Sequence, residues 1–132
     1  MFLCLFVTKK TAMKIYSFEK LNVWKESLEL VTSIYKITNN FPREEKFGLI
    51  SQIRRATVSV SSNLAEGTSR KTNKDKAQFT TISFSSAMEV LNQLIISKEL
   101  DYISENDYIL VRQRIEKITN MLNSLRNSQL CS

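Results

Sequence analysis

The sequence predicts an all-α fold, an antiparallel up-down-up-down four-helix bundle, and three observations carry that prediction. Its 132 residues include only two glycines and one proline, too few breaks for strands joined by tight turns. Apolar residues recur in alternating three- and four-residue steps along four long stretches, the spacing of a bundle seam. The connections between those stretches are short and polar, which makes consecutive helices antiparallel neighbours. At 42% apolar and 24% charged residues, the chain suits one domain with one core rather than a disordered polymer.

The first helix is expected over residues 18–39, with Ser17 as N-cap. Leu21, Trp24, Leu28, Val31, Tyr35 and Thr38 form its seam, and Val23, Leu30, Ile34 and Ile37 widen it toward a second neighbour. Asn39, Asn40 and Phe41 before Pro42 stop it, because proline disfavours helix in the residue ahead of it. The second helix lies within residues 41–67, starts between Pro42 and Phe47, and ends on Gly67 as the residue just past the helix. It carries two stripes. Leu49, Ile53, Ala56, Thr57, Val60 and Leu64 form an apolar face, beside which run Gln52, Arg55, Ser59, Asn63 and Glu66. The run TVSVSS at 57–62 alternates like a strand, but helical periodicity on both sides and the lack of a partner strand favour helix.

Residues 68–73 (TSRKTN) form a polar loop, and the third helix spans 74–100. Phe79, Ile82, Val90, Leu91, Leu94 and Ile95 give its apolar face, while Thr80, Thr81, Ser83, Ser85, Ser86 and Ala87 make one half small enough for close helix approach. Ser104 with Asp107 opens the fourth helix in the manner of a capping box. That helix continues to about residue 128 on an unbroken seam of Tyr108, Val111, Ile115, Ile118, Leu122 and Leu125. Trp24, Tyr35 and Phe79 sit at core spacing, so packing rather than base stacking is their expected work. Residues 1–7 (MFLCLFV) are apolar but fall far short of the roughly 20 residues that cross a bilayer, and Lys9 and Lys10 follow them where a signal peptide has its cations first. The expectation is a start at Met13, with 1–12 an extension and 13–132 the single domain; the intact mass of the natural protein checks it.

Chemistry is constrained by what is missing. There is no histidine, which removes the commonest general base and the commonest zinc ligand. Cys4 and Cys131 stand at opposite ends without motif spacing, so no metal site or disulfide framework is readable and a reduced, cytoplasmic setting is expected. Glu66 and Glu89 could form a carboxylate pair, but a di-metal bundle needs Glu-x-x-His on two helices. No cofactor, no membrane association and no enzymatic activity are expected.

Several stretches carry a resemblance. FEKLNVW in the first helix, FP-x-x-E followed by FGLISQIRRA, SVSSNLAEG, and F-x-x-I-S-x-S-S-x-x-E over 79–89 are similar to the four-helix-bundle family encoded inside intervening sequences of bacterial 23S ribosomal RNA genes. The similarity covers residues 18–126, and Ser83 and Ser85 stand where the family pattern has alanine and glycine. The resemblance implies a non-enzymatic protein that assembles as a homo-oligomer, a ring-like pentamer. Related bundle proteins that accompany diversity-generating retroelements bind nucleic acid and a reverse transcriptase. The family's name describes a genomic context rather than an activity.

Charge adds a second theme. The formal net charge is +6, which favours acidic partners. In an alternating bundle, Lys14, Lys20, Arg70, Lys71, Lys74, Lys76 and Arg126 gather at one end against Glu19 and Asp75. The other end holds Glu44, Glu45, Glu99, Asp101, Glu105 and Asp107 with Arg43, Lys46 and Lys98. An oligomer with parallel axes would repeat the basic end into a face suited to RNA or DNA phosphates, without sequence specificity. The polar stripe of Gln52, Arg55, Ser59, Asn63 and Glu66, with Ser86 and Glu89 opposite, is read as a buried or inter-subunit seam in which Arg55 pairs with Glu66 or Glu89. A protein-interaction scaffold that binds no nucleic acid is the alternative reading.

Overall fold

The structure, a computed structural model, describes residues 13–131; the expected extension at 1–12, with Cys4 and the choice between Met1 and Met13, lies outside the described residues. Four helices run through it: α1 (Asn22–Thr38), α2 (Leu49–Thr68), α3 (Asn73–Glu99) and α4 (Glu105–Cys131). Short 3₁₀ turns at Ser17–Lys20 and Arg43–Glu45 precede α1 and α2, and no strand occurs among the described residues. Each helix packs on its sequence neighbours, α1 closes the ring against α4, and diagonal pairs do not meet.

Bonds between α2 and α3 and between α3 and α4 run in opposing register. Ser59 meets Ser86 while Ser83, earlier on α3, reaches Val60, later on α2. Thr80 meets Gln129, and Thr81 takes a bond from Arg126. Lys117 of α4 reaches Glu26 near the start of α1. Leu30, Ile34, Ile53, Val60, Val90, Leu94, Ile118 and Leu122 are fully enclosed, each contributing on the order of 1.5–3 kcal/mol by burial.

A helix as rich in hydroxyls as α2 can lie in this core because the hydroxyls are satisfied locally. Thr57 Oγ1 donates to Ile53 O at 2.6 Å, and Ser61 Oγ to Val58 O at 2.9 Å. The strand-like run 57–62 is therefore helix, with the Thr57 and Ser61 hydroxyls returned to the preceding turn. Ser83 is used differently. Its Oγ donates to Val60 O at 3.0 Å across the α2–α3 contact, so this hydroxyl ties the two helices together.

Three expectations about α1 and α2 are corrected. Ser17 is not the N-cap of a helix over 18–39. It opens the 3₁₀ turn, Leu21 is extended (φ −71°, ψ 124°), and α1 starts only at Asn22. The seam of α1 is also rotated: its buried line is Val23, Ser27, Leu30, Ile34 and Thr38, whereas Leu28 and Tyr35 are about 40% exposed (39% and 41%). The rotation is possible because Ser27 Oγ donates to Trp24 O at 2.6 Å and Thr38 Oγ1 to Ile34 O at 2.7 Å, which makes two polar residues fit for the core. Finally, Gly67 does not end α2. It lies inside the helix, is buried, and has no positive φ.

Candidate functional site

The basic end is assembled from four elements. Ser17 and Leu21 from the turn before α1, Thr68 from α2, Lys76 from the start of α3, and Leu125 and Gln129 from α4 line one surface hollow of about 280 Å³. Thr72 caps α3 by accepting from the Asp75 backbone N–H at 3.1 Å, which fixes the first turn bearing Lys74 and Lys76. Lys14, Lys20, Arg70, Lys71, Lys74 and Arg126 are exposed, and Lys76 is half-buried.

Three of these cations lie against uncharged groups. The Arg70 guanidinium lies 4.5 Å from the centroid of the Phe79 ring, and Arg126 Nε donates to Thr81 Oγ1 at 2.8 Å. The Lys14 ammonium stands 4.9 Å from the ring centroid of Tyr16. The three ion pairs among the described residues are Lys98–Glu105, Arg114–Glu26 and Lys117–Glu26. None of them uses a cation of the basic end.

The opposite end is knit by its acids. Glu45 Oε2 accepts from the Tyr102 hydroxyl at 3.1 Å, while Glu45 Oε1 faces the Leu49 N–H at 3.4 Å, at the start of α2. That hydrogen bond, aided by partial burial and the carboxylate's charge, holds the Tyr102 phenol above its ordinary value of 10.0. Lys98 is likewise raised, by its hydrogen bond to Glu105 first and by that carboxylate's charge second.

The polar stripe is brought together in part. Gln52, Arg55 and Ser59 of α2 and Ser86, Glu89 and Gln93 of α3 line an open groove of about 550 Å³ with Ala56 at its floor. Ser59 Oγ and Ser86 Oγ are 2.9 Å apart, and Asn63 Nδ2 donates to Ser59 O at 2.8 Å and to its Oγ at 3.0 Å. Glu66 lies outside the groove, exposed. The expected pairing of Arg55 with Glu66 or Glu89 is absent: all three are exposed and in no ion pair. On the exposed face of one subunit, such a pair would contribute about 0–1 kcal/mol.

Two residues of consequence escape sequence reasoning. Gln93 is 6% exposed, and its Oε1 is the buried side-chain oxygen left without a hydrogen bond among the described residues. It lines the polar groove. Arg54, the neighbour of Arg55, closes the C-terminal end of α1: its Nε donates to Thr38 Oγ1 at 2.9 Å, and its Nη2 to Tyr35 O at 3.3 Å and Asn39 Oδ1 at 3.1 Å. Its guanidinium also stacks 4.4 Å from the Tyr35 ring centroid. A doubled arginine was visible, but which of the two faces inward depends on where the helix starts.

Among the described residues no group of acids and cysteines is placed to hold a metal ion, and no helix is long and apolar enough to cross a membrane.

The family model described as 23S rRNA-intervening sequence protein matches residues 19–124. Among solved structures, the chain is similar to a protein of unknown function from the S23 ribosomal protein family of Bacteroides thetaiotaomicron, at a TM-score of 0.71 and 24% identity, over 78% of this chain and 96% of that one. At that identity the likeness speaks for the fold. None of the curated proteins matches the chain.

Proposed function

The chain belongs to the 23S rRNA-intervening sequence protein family, and on that footing we propose that it is a non-enzymatic, cytoplasmic, homo-oligomeric bundle that binds RNA or DNA non-specifically through its basic end. One observation carries the reading. Arg70, Lys71 and Lys74 stand exposed beside Lys76 at an end that has no ion pair of its own. Unpaired cations on a fixed helix start are suited to phosphates, whose contacts position a ligand without reading its bases. A ring of subunits, the pentamer that the sequence resemblance implies, would multiply this weak single-subunit attraction.

The test is a binding titration on RNA and DNA across a salt series. Affinity should fall steeply with salt, and replacing Arg70, Lys71, Lys74 and Lys76 together by glutamine should nearly abolish it. Unchanged affinity in that variant would refute the site. Native mass gives the subunit count.

The polar groove supports a second reading, a protein-interaction scaffold in which Gln52, Arg55, Ser59, Ser86, Glu89 and Gln93 meet another subunit or another protein. Its support is Gln93 Oε1, a buried acceptor without a donor. An oligomer that ignores polyanions at low salt would favour this scaffold.

A further inference from the structure

The turn ahead of α1 presents an aromatic ladder beside the cations. Tyr16 and Phe18 are stacked with ring centroids 6.4 Å apart and planes 21° apart, and Phe18 in turn meets Trp24 edge-on at 5.2 Å. Phe18 and Trp24 are half-buried, but Tyr16 is 55% exposed. The last ring therefore covers little of the core. Its backbone is nonetheless fixed: the Tyr16 N–H donates to Glu19 Oε1 at 3.0 Å, and the Glu19 N–H to Tyr16 O at 3.1 Å.

An exposed ring on a fixed backbone is flanked here by cations. Lys14 reaches the ring itself, Lys20 closes the same turn, and Ser17 shares a hollow with Lys76 of α3. We infer that Tyr16 is a stacking platform for an unpaired base, so that the basic end takes single-stranded rather than duplex nucleic acid. The inference rests on the nucleic-acid reading of that end. Its physics is simple: every base offers a π-face, and stacking on an aromatic ring needs no particular sequence. A duplex already uses those faces within its own stack and can offer the protein only phosphates. The Lys14 ammonium, on a flexible stem, is displaced by the incoming base and takes the adjacent phosphate.

The experiment compares single-stranded and duplex oligonucleotides of equal length, with 2-aminopurine as the reporting base. Tyr16→Ala should weaken single-strand binding by about tenfold and duplex binding by less than about twofold. Tyr16→Phe should bind like the parent protein, because the hydroxyl is not used. The 2-aminopurine emission should be quenched by the parent and by Tyr16→Phe but not by Tyr16→Ala. Equal losses on both ligands, or no loss on the single strand, would overturn the inference while leaving the basic-end reading intact if the glutamine-substituted variant still loses both. A parent protein that binds neither ligand would remove both.

Discussion

Gly67 and Phe79 face each other at close range across the α2–α3 contact: a Cβ built on Gly67 would lie 2.9 Å from the Cβ of Phe79. The glycine is therefore required by packing rather than by a turn, since its φ is not positive. The same contact carries the Phe79 ring under the Arg70 guanidinium, so it sets both the spacing of the helices and the position of one cation.

Gly67→Ala should destabilise the protein even though alanine suits a helix interior better by about 1 kcal/mol. The obstacle is another Cβ, which cannot swing away, and overpacking of this kind costs about 1–3 kcal/mol. Urea unfolding should show a lower midpoint. A higher one would mean that α2 and α3 separate without penalty.

Gln93 supplies the opposite case. Gln93→Met keeps much the same volume and removes the unbonded Oε1, whose burial without a donor costs about 1–3 kcal/mol. The subunit should melt at a higher temperature, and if the groove receives a donor from another copy, native mass should shift toward smaller species. Lower stability with unchanged mass would show that Oε1 is satisfied within the subunit.

Arg54 should matter more to folding than its neighbour. Arg54→Ala removes three hydrogen bonds to the end of α1 and the stack on Tyr35, and a loss of about 1–3 kcal/mol follows from charge-assisted bonds of this kind. Arg54→Lys should recover little of it, because a compact ammonium lacks the guanidinium's spaced planar donors and the face that stacks on Tyr35. Arg55→Ala should leave the unfolding midpoint almost unmoved; equal effects at the two positions would contradict the assignment.

The contact between Tyr102 and Glu45 predicts a pH response at the acidic end. A raised phenol favours the fold at pH values below the ordinary 10.0, and that contribution is lost as pH rises through the higher folded value. Near-ultraviolet titration should show Tyr102 ionising above 10.0, and Glu45→Gln should lower its midpoint toward that value.

How far the sequence could be read depended on what hides a polar atom. The seam of α4 was legible because Val111, Ile115, Ile118 and Leu122 are apolar and buried. The seam of α1 was misplaced because Ser27 looks like a surface residue until its bond to Trp24 O is seen. Gly67 looked like a helix stop because the other use of glycine, close approach, needs the position of Phe79. At the candidate site, helix order alone brings Lys76 of α3 toward the turn before α1 and the end of α4, and Ser17, Lys76, Leu125 and Gln129 share one hollow. The exposure of Tyr16 was not readable, since it depends on a 3₁₀ turn that replaces the expected first turn of α1. The two arginines differ by one residue, about 100° on a helix, and that rotation separates a clamp from a solvated charge.

The unequal intimacy of the four contacts also orders the molecule in time. α2 and α3 are laced together along their lengths, whereas α1, the shortest helix, touches α2 and α4 more sparingly and leaves a groove of about 630 Å³ beside α4. Fluctuations that detach one element at the least expense detach α1. Amide exchange should then proceed through a partly open form in which α2, α3 and α4 stay associated, and Arg54 serves as the latch whose release precedes it.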